Sequence, residues 1–287
     1  MGLRIQNNVE AFNAHRTLTA TGVQASKAME KLSSGYRINR AADDAAGLGI
    51  SEKMRSQISG LGQAQRNAQD AISLVQTAEG ALGEVHSMLE RVRDLKVQIG
   101  GGTLDTSDKE AIGAEVIQIA TEIKDILTNT SFNGKKLLDG SAGSAFTFQV
   151  GANASETISL ASSTLSTAAI AGGGLTEVLA LSGAANAGAA VTSLEAAGLS
   201  LTNLTSAIDN VSEQRGTYGA VQNRLEHRLN NLATYQENLT AAESRIRDVD
   251  MAAEMTKFTK LNILQQAGTS MLAQANQAPQ GVLSLLR

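Results

Sequence analysis

"LGQAQRNAQDAISLVQTAEGALGEVHSMLERVRDLKVQIG", residues 61–100, decides the fold. Small and apolar side chains recur at Leu61, Ala64, Ala68, Ala71, Val75, Ala78, Leu82, Val85, Leu89, Val92, Leu95 and Ile99. The steps alternate between three and four residues, the seam spacing of a coiled coil. The rhythm predicts a helix from about Ser56 to Ile99, stopped by Gly100, Gly101 and Gly102. A phosphate-cradling loop would need a strand before the glycines and a helix N-terminus with Lys after them. Neither is present, so the glycines read as a helix break.

Downstream, Ser107 reads as an N-cap with Glu110 as its capping-box partner. Ile112, Val116, Ile119, Ile123 and Ile126 mark the helix that follows, and Asn133-Gly134 marks a turn. The period then shortens to two. Phe146, Phe148 and Val150, then Ile158 and Leu160, alternate with polar residues around a turn, which predicts a β-hairpin. Residues 161–198 are rich in Ala, Gly, Ser and Thr and read as a loop or small excursion with little to bury. Ser and Thr from about Ala161 to Thr205 are open to O-glycosylation if exposed, and Asn153-Ala154-Ser155 fits a sequon that is common by chance. Helical rhythm resumes with Leu204, Ile208, Val211, Tyr218, Leu225, Leu229, Leu232, Leu239 and Ile246, with Arg215, Gln222, Gln236 and Glu243 read as polar residues in the same seam.

The two ends share one character. Ile5, Val9 and Phe12 open a helix of low charge, and Leu261–Leu286 carries no charge at all. A helix draws most of its stability from burying a face, so each terminal helix is the simplest partner for the other. The expected class is mainly α: an elongated antiparallel helical bundle or coiled coil with one β-hairpin and paired N- and C-terminal helices.

Composition narrows the function. A net charge of −4 argues against nucleic acid as main partner. Cysteine is absent, which excludes thiolate chemistry and disulfides. His15, His86 and His227 lack ligand spacing, so no metal or other cofactor is expected. Asp43-Asp44 beside Arg37 and Arg40 suggests ion pairing rather than acid–base catalysis, which requires a cleft. No catalytic residue is assigned. No apolar run of about 20 residues spans a bilayer, and Met1–Asn8 is too polar for a cleavable secretory signal.

Two stretches are more specific. "KLSSGYRINRAADDAAGLGISEKMRSQISGLGQAQRNAQDAISLVQTAEGAL" (residues 31–82) resembles the N-terminal region of bacterial flagellins, and "SRIRDVDMAAEMTKFTKLNILQQAGTSMLAQANQAPQGVLSLLR" (residues 244–287) resembles their C-terminal region. The resemblance covers about 1–160 and 200–287, and the middle is short, as in a flagellin without large outer domains. It implies two domains: 1–42 with 247–287 as the inner terminal-helix domain, and 43–246 as a helical bundle with a hairpin at about 145–160 and a variable segment at about 161–198. It implies a structural subunit that polymerises into the extracellular flagellar filament for swimming. The terminal helices would lie innermost, with Gln, Asn, Ser and Thr lining a channel and Ile5, Val9, Phe12, Leu264, Met271, Leu272 and Leu285 among the assembly residues. It implies further partners: the flagellar export apparatus, an export chaperone and the filament cap. Glu90-Arg91-Val92-Arg93-Asp94-Leu95 reads by itself as an exposed helix face. By resemblance, Arg91, Leu95 and Glu115 match the surface recognised by Toll-like receptor 5, with Glu90 where the family often has Gln. The same face would contact a neighbouring subunit in the filament.

Three other readings compete. A membrane-active exported protein would carry a continuous apolar face flanked by basic residues, which the glutamine-rich end lacks. An intracellular coiled-coil rod would carry charged flanking positions to its very end. A hook–filament junction protein is the nearest rival, and the match at both termini favours the filament subunit.

Overall fold

A computed structural model describes residues 8–139, 146–160, 175–184, 186–195 and 199–285, with 278–285 as backbone only. The helices are α1 (Val9–Ser34), α2 (Ala45–Ile99), α3 (Thr106–Asn129), α4 (Leu175–Leu181), α5 (Ala187–Glu195), α6 (Leu201–Arg247) and α7 (Met251–Leu285). Between α3 and α4 lie β1 (Ser131–Phe132), β2 (Lys135–Lys136), β3 (Phe146–Gln149) and β4 (Thr157–Leu160). The chain forms two compact units, Met1–Ile58 with Glu237–Arg287 and Ser59–Gln236.

In the larger unit, every seam residue from Leu61 to Ile99 is buried, none more than 4% exposed. The facing seam of α6 is Leu204, Ala207, Val211, Tyr218, Val221, Leu225 and Leu232. The same three-four rhythm passes through Gln214 and Arg228. Gln236, expected in the seam, also faces α2, its amide oxygen accepting from the Gln65 amide at 2.8 Å; Arg215 and Gln222 flank the buried row. The third wall comes from α3 through Ile112, Gly113, Val116, Ala120, Ile123 and Leu127. These side chains form one continuous core with the hairpin.

The hairpin is in the expected place. Antiparallel β3 and β4 pair Phe146 with Leu160 and Phe148 with Ile158, so alternate side chains turn to the core. Arg228 anchors its turn to α6: Nε donates to the Val150 carbonyl at 3.0 Å, and the guanidinium lies 3.6 Å from Glu156. On the α2 side, the Asn67 amide donates to the Gln149 carbonyl at 3.1 Å.

Three expectations need correction. The first concerns 161–198, read as a loop with little to bury. Its described residues include α4 and α5, which pack on α3 and bury Leu175, Val178, Leu181, Ala190, Val191 and Leu194. The apolar residues sit three or four apart, but runs of under ten residues diluted by Ala and Gly carry too weak a period to read. Their close approach depends on Gly113: a Cβ there would come within 2.6 Å of the Ala187 carbonyl. The second concerns the cap of α3. Asp105, not Ser107, is the N-cap, accepting from the Thr106 N–H at 2.7 Å. The third concerns α2, which begins at Ala45, well before Ser56. Asp44 starts it, its carboxylate accepting from the Gly47 N–H at 2.9 Å.

Candidate functional site

The smaller unit places the terminal helices side by side. α1 packs on α7. On α1 a row of less exposed positions runs through Ala11, Ala14, Leu18, Thr21, Ala25, Ala28 and Leu32, again in alternating steps of three and four. On α7 the matching row is Glu254, Phe258, Leu261, Gly268, Leu272 and Ala275. Ala and Thr hide this seam from a search for large apolar residues. Its core is small: Ala25, Ala28 and Leu261 are buried, with Phe258 packed against them. The two ends of the seam are held differently. Near its start, the Asn8 amide donates to the Ala275 carbonyl at 2.7 Å. At the other end, Gly35 closes α1 in the left-handed conformation (φ 77°), with its N–H on the Lys31 carbonyl at 2.9 Å.

Beyond Gly35 the chain is fastened to the end of α6. The Arg37 N–H donates to the Arg247 carbonyl at 2.6 Å, and the Val249 N–H donates to the Gly35 carbonyl at 3.0 Å. Arg247 stacks its guanidinium 4.8 Å from the Tyr36 ring and pairs with Glu52 at 2.6 Å. Asp43 closes the following loop. The N–H groups of Arg40 and Asn39 donate to its carboxylate and hold its pKa below the ordinary aspartate value. Arg40 itself pairs with Glu30 at 2.8 Å. The Asp43-Asp44 pair is thus a loop clasp and a helix cap, with each carboxylate committed to backbone N–H groups.

The outward faces of the same helix pair carry exposed large apolar side chains among polar ones. Val9 is 59% exposed, Phe12 71%, Ile263 60%, Leu264 46% and Met271 61%. Met255, Thr256, Thr259, Lys260, Ile263 and Leu264 line an open hollow of about 540 Å³ on α7. Of the seven terminal residues expected at an assembly surface, Val9, Phe12, Leu264 and Met271 lie on exposed faces. Leu272 is half-buried in the row with Gly268 and Ala275. Ile5 and the side chain of Leu285 lie outside the described residues. Ile263, Met251 and Met255 were not singled out from sequence; the four-residue step 251, 255, 259, 263 was the available signal.

In the larger unit, Arg91 on α2 and Glu115 on α3 form an ion pair, with Nη2 at 2.7 Å and Nε at 2.9 Å from one carboxylate oxygen. Both side chains are about half exposed. Glu90 sits 3.4 Å from His86. Leu95 does not share this surface. It is 2% exposed and belongs to the core. As a seam residue it packs beneath the surface, so the exposed part of the patch is Arg91 and Glu115.

Among the described residues, no helix is long and apolar enough to cross a membrane, and no group of three or more His, Cys, Asp or Glu is gathered as for a metal ion.

Comparison with known proteins agrees with this architecture. Residues 5–143 match the model for the bacterial flagellin N-terminal helical region, and 201–286 match that for the C-terminal helical region. The chain is 50% identical to a flagellin of Bacillus subtilis, across 99% of this chain and 100% of that protein. It is 51% identical to a flagellin of Halalkalibacterium halodurans, across 99% of both. It is 44% identical to the flagellar filament 33 kDa core protein of Treponema phagedenis, again across 99% of both. These matches favour a filament subunit over a hook–filament junction or membrane-active protein. The chain belongs to the bacterial flagellin family, and it is a structural subunit of the flagellar filament rather than an enzyme.

Proposed function

We propose that the chain joins the filament through the outward faces of α1 and α7, with 1–42 and 247–287 acting as an inner assembly domain and 43–246 as the surrounding bundle. The observation that carries this reading is a contrast. The seam of α2 is sealed, whereas α1 and α7 leave Val9, Phe12, Ile263, Leu264 and Met271 in water. Large apolar side chains exposed together on one helix pair mark a contact surface. Burial against neighbouring copies contributes roughly 25 cal/mol per Å² of apolar area, repeated at each neighbour. The absence of charge from Leu261 to Leu286 suits this placement, because a buried unpaired charge is costly and a lining of amides and hydroxyls wets a channel without trapping a passing chain.

Arg91 and Glu115 form a second surface in this reading, used between subunits in the filament and open to Toll-like receptor 5 only on a free chain. Leu95 supports it from below. Export apparatus, export chaperone and filament cap are the expected partners in delivery and growth, and the assembled chain is extracellular.

Negative-stain microscopy of purified protein added to filament fragments tests the proposal. Tubes are expected; dispersed rods, or damage to added vesicles, would refute it. Arg91→Ala should slow growth and weaken receptor signalling together. Unchanged behaviour in both assays removes the dual role and leaves the terminal faces as the assembly surface.

A further inference from the structure

The chain has no cysteine, so methionine thioethers are its only sulfur and the first target for a peroxide. Their distribution is uneven. Four of the seven methionines are prominently exposed: Met29 at 54%, Met251 at 48%, Met255 at 50% and Met271 at 61%. All four stand on α1 or α7. Met54 and Met88 are half-buried, and Met88 packs against the core of the larger unit. Met1 lies outside the described residues.

Met251 and Met255 are one helical turn apart, and Met255 lines the α7 hollow with Ile263 and Leu264. Thioethers suit such a surface, being apolar and adaptable in shape. Few donors there would receive a sulfoxide oxygen. The Thr256 and Thr259 hydroxyls already donate to the Ala252 and Met255 carbonyls, each at 2.9 Å. That leaves Lys260 as the remaining donor side chain among the lining residues.

We infer that Met29, Met251, Met255 and Met271 are sulfoxidation sites through which peroxides control assembly: oxidised chains stay soluble, while assembled chains are shielded. In the reaction, a thioether sulfur lone pair takes one peroxide oxygen, the O–O bond breaks, sulfur is oxidised to sulfoxide and the peroxide is reduced to water. Each sulfoxide brings a polar acceptor to an interface that is apolar in the unmodified chain. A methionine sulfoxide reductase reverses it. The inference rests on the proposed assembly faces.

The test treats purified free chain with hydrogen peroxide, maps sulfoxides by peptide mass spectrometry and measures seeded elongation. Sulfoxide is expected first at the four exposed sites, and elongation should fall on the order of tenfold or more, as one poorly satisfied polar group per contact implies. The variant M29L/M251L/M255L/M271L, compared with its own untreated elongation rate, should lose most of the peroxide sensitivity. Preformed filaments should acquire little sulfoxide at these positions. Unaltered elongation of a chain fully oxidised at the four sites would overturn the inference, as would equal peroxide sensitivity of the leucine variant. If untreated chain also failed to elongate, the assembly reading itself would fall and this inference with it.

Discussion

Replacing Ile263 by aspartate is expected to stop filament growth while leaving the free chain folded as before. Ile263 is 60% exposed on α7 and lies in the charge-free stretch. In the free chain the new carboxylate sits in water, and the change costs at most about 0.7 kcal/mol of helix propensity. In the filament the same carboxylate would lie against a neighbour with no cation provided for it. Burying an unpaired charge costs several kcal/mol even after relaxation. Each 1.4 kcal/mol is a factor of about ten in the concentration at which chains add, so the critical concentration should rise by roughly a hundredfold or more. Ile263→Leu keeps the apolar face and should elongate normally. Sedimentation of seeded reactions measures both. A wild-type critical concentration for the aspartate variant would mean this face does not enter the interface.

Tyr218→Ala is expected to cost the larger unit about 3–5 kcal/mol, the usual range for removing a large buried aromatic. Tyr218 is fully buried in the α6 seam. The chain has few other aromatics, two tyrosines and five phenylalanines, so removing this ring leaves a space that smaller side chains fill poorly. Burial also pushes the Tyr218 phenol well above the ordinary tyrosine value. The folded state therefore holds the proton more tightly than the unfolded chain. This contribution is fully present below the ordinary tyrosine pKa and is lost as pH rises through the folded value. Tyr218→Phe keeps the ring and removes the titration. It should lose less stability than alanine and show a flatter decline at alkaline pH. Chemical denaturation followed by circular dichroism decides this. Equal stability of wild type and alanine variant would contradict the seam as described.

The long seam was legible because Leu, Val and Ile recur along it often enough to set the phase that its alanines follow. From Leu61 to Ile99 the heptad rhythm and the buried row coincide, and the hairpin showed itself when the period changed from near 3.5 to two at Phe146. The α4–α5 segment stayed hidden because its helices are short and surrounded by Ala and Gly. The α6 seam was partly misread: Gln214 and Arg228 sit in it because Arg228 is needed to hold the hairpin turn, a purpose no local pattern encodes. Leu95 shows a different limit. Periodicity places it in the core and family resemblance places it on a surface; the structure sides with the period. For the proposed assembly site, the resemblance pointed to the helices that carry exposed large apolar side chains. Which of their faces is free depends on the Ala-rich seam between α1 and α7, and alanine carries no sign of which way it points.

That seam leads to the central claim. A helix pair whose core is Ala25, Ala28 and Leu261 with Phe258 buries little, and helices of this kind depend on external packing. Amide hydrogen exchange of α1 and α7, measured in the free chain and again after seeded assembly, tests the claim most directly. The account predicts fast exchange along both helices in the free chain, slow exchange in the filament, and little change along the sealed seam of α2 within the larger unit. Equal, strong protection of α1 and α7 in the free chain and in the filament would contradict it.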